Sequence, residues 1–207
     1  MTWRRLQEYL ESQRRMHGKT VFTATELANA AGCSLPVLRT TVTRLVKDGR
    51  MVRYAAGRYG LGADVTVDAL LATLDSNAYI TGLYALHRYG LVTQAVREIT
   101  CFTTRRHNRS RVRTTPLGRL VFVCVNRALY TPPAAGVVAP PEQALCDFVC
   151  LTLRQGLLPQ TLVTLRNLET LDAAILQRVC QRYPLSVQRW LKKTLPSRHT
   201  GPSRFER

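Results

Sequence analysis

The sequence predicts an α+β protein of two domains, and three observations carry that prediction. Apolar residues recur at helical spacing from residue 3 to residue 46. Short β-like runs follow at 51–61 and again at 97–125, and a helical pattern resumes after residue 138. A chain of 207 residues is long enough for two small domains with a core each, and an apolar content of 45% excludes wholesale disorder. The expected division is 1–62, then 63–195, then a basic tail, 196–207, that lacks periodicity and reads as disordered.

The first element is a helix from Trp3 to Met16, with Trp3, Leu6, Tyr9 and Leu10 on one stripe. Val21 and Phe22 form a short extended pair. Thr23 caps the helix TATELANAAG, with Glu26 as the other half of a capping box and Gly32 at its end. A third helix starts after a short turn, with Ser34 at its N-cap and Pro36 in its first turn. Leu38, Val42, Leu45 and Val46 make its buried stripe, and Gly49 terminates it. MVRYAAGRYGLG then reads as strand, tight turn at 55–57, strand.

Helix, strand, helix, tight turn, helix and basic hairpin, in this order, describe a winged helix-turn-helix, whose third helix enters the major groove of DNA. Ser34, Arg39, Thr40, Thr43 and Arg44 are then candidates for base edges or first phosphates. Lys47, Arg53 and Arg58 are candidates for phosphate contacts that set affinity rather than sequence. The same architecture used for protein contacts is the alternative reading of this domain.

The second domain opens with VTVDALLATL as a short helix and Asp75-Ser76-Asn77 as a break. A helix is expected over 78–89, AYITGLYALHRY, ending at Gly90. The runs REITCFTT, RVRTT and GRLVFVCVN predict a small antiparallel sheet, and VVAPPEQALCDFVCLTLRQG predicts a mostly buried helix. Residues 162–195 read as two or three further helices, LETLDAAILQRVCQRY being the clearest. Between the first two of those strands lies TTRRHNRSRVRTT, with five arginines, one histidine and no acid. It reads as a hairpin with Asn108 and Ser110 at the turn. Arg105, Arg106, Arg109, Arg111 and Arg113 make it a candidate second basic surface, facing DNA, a partner protein or only solvent.

The net charge of +17 points to a polyanionic partner. It is concentrated in blocks: residues 1–62 carry eleven Lys/Arg against four Asp/Glu, and 97–127 and 178–207 each carry eight against one. No apolar run approaches the roughly 20 residues of a membrane span, and no signal peptide is visible, so a cytoplasmic protein without membrane partners is expected. The six cysteines form no CxxC pair and the histidines are scattered, so neither a metal site, a disulfide nor a cofactor is expected. Glu142 and Asp147 point about 140° apart on a helix, which suits structural roles: capping for Glu142 and a pairing with an Arg for Asp147. No phosphate-cradling loop, HExxH or GxSxG occurs, and no catalytic residue is assigned.

The order of segments resembles one family. A basic winged helix is followed by AYITGLYALHRYGLV, by REITCFTT, by the basic hairpin and by VVAPPEQALCDFVCL. This resembles the AbiEi family, the antitoxins of type IV toxin–antitoxin systems, over roughly residues 5–190. Pro141, Glu142 and Asp147 stand where that family opens an apolar helix with a Pro-Glu pair, while Cys146 and Cys150 replace aliphatic residues. The resemblance implies a non-enzymatic protein whose N-terminal domain binds inverted repeats in its own promoter and represses the operon. Its C-terminal domain would counteract a nucleotidyltransferase toxin without a tight, permanent complex. The alternatives are a nucleic-acid-processing or toxin-modifying enzyme localised by the winged helix, and a ligand-responsive transcription factor.

Overall fold

Helix α1 (Trp3–His17) turns Leu6 and Leu10 inward, with Trp3 and Tyr9 half-buried beside them, as the spacing requires. The computed structural model describes residues 3–62, 64–94, 96–108 and 111–195, so the tail read as disordered lies outside the described residues. Strand β1 (Phe22–Thr23) leads into α2 (Ala24–Ala31) through the capping box. The Thr23 hydroxyl accepts from the Glu26 amide, and the Glu26 carboxylate accepts from the Thr23 amide. Burial pushes the Glu26 carboxyl up, but hydrogen bonds from Lys19 and Thr23 outweigh it and hold the group below the ordinary carboxylate value. Gly32, in the left-handed region at φ 60°, closes α2.

Helix α3 (Leu35–Lys47) follows almost at once. It buries Leu38, Val42 and Leu45, and has Pro36 in its first turn. Strands β2 (Val52–Ala55) and β3 (Arg58–Gly60) form a hairpin with Gly57 at φ 67° in the turn. The sheet is antiparallel in the order β1-β3-β2, with an irregular register between Arg53 and Ala55. Leu6, Leu10, Phe22, Leu27, Leu38, Val42, Leu45, Met51 and Tyr59 share one core. Each such side chain contributes about 1.5–3 kcal/mol by leaving water, so this block fixes which side of α3 stays outside.

Helix α4 (Val67–Leu74) is capped by Thr66, which accepts from the Ala69 amide. The helix expected over 78–89 is divided. Tyr79–Thr81 is strand β4, and α5 (Gly82–Arg88) begins only at Gly82, whose φ of 64° the turn into the helix requires. Tyr79, Ile80 and Thr81 are all buried, a continuous burial typical of strands enclosed on both faces, and period alone cannot distinguish such a run from a buried helix.

The expected antiparallel sheet is mixed. Strands β5 (Glu98–Thr103), β6 (Val112–Thr115) and β7 (Gly118–Cys124) join β4 in the order β4-β5-β7-β6. β5 runs parallel to β7, whereas β6 runs antiparallel to it. The expected β5–β6 hairpin is therefore absent, because β7 lies between the two. The segment joining them passes the end of β7, where Thr103 is level with Cys124 and the Phe122 amide donates to the Arg111 carbonyl. β5, flanked on both sides, buries Ile99, Cys101, Phe102 and Thr103, while the edge strand β6 leaves Val112 exposed.

Helices α6 (Pro141–Arg154), α7 (Pro159–Leu162), α8 (Ala173–Cys180) and α9 (Leu185–Thr194) follow. LETLDAAILQRVCQRY is not one helix: a 3-10 turn at Leu168–Thr170 stops before Asp172, which caps α8 by accepting from the Ile175 amide. By packing, the chain forms two compact units that are discontinuous in sequence. The first runs to Ile80 and adds Arg97–Ala139. The second comprises Thr81–Val96 and the described residues from Pro140. This differs from a cut at residue 62, because Val65, Val67, Leu70 and Leu71 are buried and Gly60 packs against Val65 with no room for a Cβ. In the second unit α6 is buried on nearly all sides, from Glu142 to Cys150, and packs with α5, α7, α8 and α9. No helix among the described residues is long and apolar enough to cross a membrane.

Candidate nucleic-acid interface

The burial of Leu38, Val42 and Leu45 leaves Arg39, Thr40, Thr43, Arg44 and Lys47 exposed on α3. Among the described residues, none of its three cations takes part in an ion pair. Thr40 and Thr43 donate their hydroxyl protons to the carbonyls of Pro36 and Arg39, at 3.3 and 2.8 Å. In that state each hydroxyl offers only lone pairs outward, which suits an amino group on a base edge better than a phosphate oxygen. Ser34 takes the N-cap conformation, but its side chain makes no cap hydrogen bond, and the residue is exposed. Val37 is 53% exposed near the start of the same helix, an apolar group suited to a thymine methyl that the polar pattern did not single out.

The two hairpin arginines divide. Arg53 is exposed on β2, beside the irregular register. Arg58 turns to the protein: Nε and Nη2 both donate to the Thr73 carbonyl, at 3.0 and 2.7 Å, and Nη1 donates to the Gly57 carbonyl. Thr73 is in the last turn of α4, where carbonyls lack helical partners, so Arg58 caps that helix and complements its dipole. Arg58, read from the sequence as a phosphate contact, makes an internal clamp in the structure.

Two residues further on, Asp75 is the C-cap of α4 and is buried, 2% exposed. Its Oδ2 accepts from the Thr103 hydroxyl at 2.7 Å and lies 2.8 Å from His107 Nε2. Its Oδ1 accepts from the Asn77 amide at 3.0 Å and lies 3.7 Å from Arg105 Nη1. Thr103 Oγ1 in turn accepts from the Arg105 amide, and the His107 ring stacks on Phe122, centroids 4.3 Å apart. The base of the arginine-rich run is thus wrapped around a carboxylate that comes from outside it. Burial pushes the Asp75 carboxyl up, but the hydrogen bonds from His107, Thr103 and the Asn77 amide, with the charge of His107, hold it below the ordinary carboxylate value.

Arg105, Arg106 and Arg111 are exposed, while Arg113 is half-buried with its guanidinium 5.4 Å from the Phe122 ring centre. Burial and the like charge of Arg58 work against the charged form of Arg113, and Asp75 works for it. Arg109, with Ser110 at the expected turn, lies outside the described residues.

In the second unit, Asp147 is buried and accepts from the Thr81 hydroxyl at 2.7 Å and the Tyr183 hydroxyl at 2.6 Å. Glu142 accepts from the Asp172 amide at 3.0 Å, so it ties α6 to the start of α8 rather than capping its own helix. Burial first, then the neighbouring Cys180 and Asp147, push the Cys146 thiol far up, which keeps it protonated and unreactive. Among the described residues no three His, Cys, Asp or Glu side chains are grouped so as to hold a metal ion.

No protein-family model matches the chain, and no curated protein matches it.

The anchoring residues Asp75, Thr103 and His107 were not singled out from the sequence as site residues. The one visible signal was the Asp75-Ser76-Asn77 break itself, since a carboxylate in such a turn often satisfies its neighbours' amides.

Two outcomes are expected. Arg58→Ala leaves the Thr73 carbonyl without its partner and lowers stability by about 1–3 kcal/mol, whereas Arg53→Ala stays within about 0.5 kcal/mol; urea denaturation of both variants checks the difference. Asp75, whose folded value is depressed, contributes stability that is complete above the unfolded value of about 3.9 and is lost as pH falls through the folded value. The gap in denaturation midpoint between the wild type and Asp75→Asn is therefore expected to narrow on acidification from about pH 7 to below about pH 4. A gap that does not change with pH would show that the charge of Asp75 is not what the fold uses.

Proposed function

We propose that the chain is a DNA-binding autorepressor whose first block is a winged helix-turn-helix, with α3 as the recognition helix and β2–β3 as the wing. The single observation that carries this reading is the solvent face of α3. Cations without ion-pair partners among the described residues and hydroxyls that present lone pairs stand on a helix reached by a short turn from α2, and Arg53 of the following hairpin is exposed. Arg39, Thr40, Thr43 and Arg44 would read base edges, with Ser34 and Lys47 on flanking phosphates. Arg53 would hold the backbone, while Arg58 keeps the wing in place through Thr73.

The wider role follows the order of segments described above. On that resemblance, the protein is a type IV antitoxin of the AbiEi kind. It would bind inverted repeats in its own promoter and counteract a nucleotidyltransferase toxin through the remaining part of the chain. The buried, hydroxyl-bonded Asp147 and Glu142, which accepts from the Asp172 amide, support non-enzymatic roles for these acids.

The test is binding of the full chain to duplexes from upstream of its own reading frame and to scrambled duplexes, together with growth rescue on co-expression with the adjacent gene. Arg39→Ala and Thr43→Ala are expected to lose about 1–3 kcal/mol of discrimination. Arg53→Ala is expected to weaken both duplexes equally and to reduce the slope of log K against log salt by about one. Unchanged discrimination in both α3 variants would remove α3 from the groove. Growth that is not rescued would remove the antitoxin role and leave a repressor.

A further inference from the structure

The TTRRHNRSRVRTT run is accounted for neither by α3 nor by the wing. We propose that its described part, residues 104–108 and 111–113, is a second, sequence-independent contact arm for the phosphate backbone of duplex DNA, held in a binding-ready shape by the buried Asp75. The proposal rests on the DNA-binding reading given above and extends the contacted duplex beyond α3 and β2–β3.

The chemistry of the arm selects a polyanion. Arg105, Arg106 and Arg111 are exposed. Among the described residues the nearest carboxylate to any of them is Asp75, 3.7 Å from Arg105 and itself shared with His107, Thr103 and Asn77. Arg113 is close enough to Arg58 for their like charges to oppose each other. Cations gathered without equal counter-charge raise the local potential, and an incoming phosphate backbone relieves it.

The shape of the arm separates it from a solvated turn. A hairpin tip would join adjacent strands and needs nothing beneath it. This segment instead passes the end of β7 to reach β6, and its base closes over a sealed carboxylate. Thr103 both donates to Asp75 and accepts from the Arg105 amide, and His107 is fixed between Asp75 and the Phe122 ring. Burying a carboxylate opposes folding unless it is fully partnered, so the partners are held tightly. Residues 103–107, held by these contacts, lose less entropy on binding than a loose basic loop would.

The position of the arm selects duplex DNA over other polyanions. Residues 97–139 belong to the same compact unit as α3, and β6, which ends the arm, lies beside β2 of the hairpin. Arg58 binds the end of α4 at Thr73, two residues before the Asp75 that shapes the arm. A duplex on α3 is therefore in reach of an element that is braced against the same block.

The experiment uses the full chain and measures affinity for the promoter duplex and a scrambled duplex over a range of salt. The Arg105→Gln, Arg106→Gln, Arg111→Gln variant is expected to lower the slope of log K against log salt by about two to three and to weaken both duplexes roughly tenfold or more. Discrimination between the duplexes should not change. Asp75→Asn makes the chain more positive, which would strengthen binding if net charge alone mattered; as a positioning residue it is expected to weaken binding several-fold. Should Asp75→Asn fail to fold, the triple variant decides alone, since its changes are confined to exposed side chains. A triple variant with the wild-type slope, while Arg39→Ala still loses discrimination, overturns the arm and leaves the DNA reading intact. A triple variant with the wild-type slope that loses growth rescue also overturns it and assigns the arm to a protein partner. A wild-type chain that binds no duplex removes both readings.

Discussion

A carboxylate with no access to water has to be given its partners by the fold, and Asp75 receives them from three places in the chain. Asn77 supplies an amide from the turn that follows α4, Thr103 a hydroxyl from the end of β5, and the arginine-rich segment the His107 ring nitrogen and the Arg105 guanidinium. A negative charge at the C-terminal end of a helix also works against the helix dipole, which adds to the demand for cations there. Arg58 meets the same helix end from the β2–β3 hairpin, through Thr73. The end of α4 is therefore the junction at which the N-terminal block, the mixed sheet and the arginine-rich segment are fixed to one another, and their membership of one compact unit follows from it.

Where the determining contacts are only a few residues apart, the sequence is informative. The capping box of Thr23 and Glu26, the Gly32 stop, the apolar stripe of α3 and the turn at Gly57 all depend on neighbours within one or two helical turns. For the same reason the exposed face of α3 was legible residue by residue. Once Leu38, Val42 and Leu45 are known to point inward, helical geometry leaves Arg39, Thr40, Thr43, Arg44 and Lys47 outside.

The rest depends on contacts between distant residues. AYITGLYALHRY is apolar on too many sides for its period to reveal that Tyr79–Thr81 extends and Gly82 starts the helix. Strands in sequence order suggest neighbours in a sheet, but β7 inserts between β5 and β6, and nothing in the runs themselves shows it. The arginine-rich run looked unopposed because its counter-charge lies 32 positions before His107. Arg58 looked free for the same reason, its acceptor being 15 positions away. What looked like one more basic hairpin connects strands that are not neighbours, and the compact unit that holds the N-terminal block also takes in α4 and most of the mixed sheet.

On the proposed reading, α3, the β2–β3 hairpin and the arginine-rich segment act as one DNA-facing surface. Amide hydrogen exchange of the full chain, with and without a duplex carrying its promoter sequence, tests that most directly. Slowed exchange is expected in Leu35–Lys47, in Val52–Gly60 and in residues 104–108 and 111–113, with no change in α8 or α9. Protection confined to α8 and α9, or an α3 indifferent to the duplex, would contradict it.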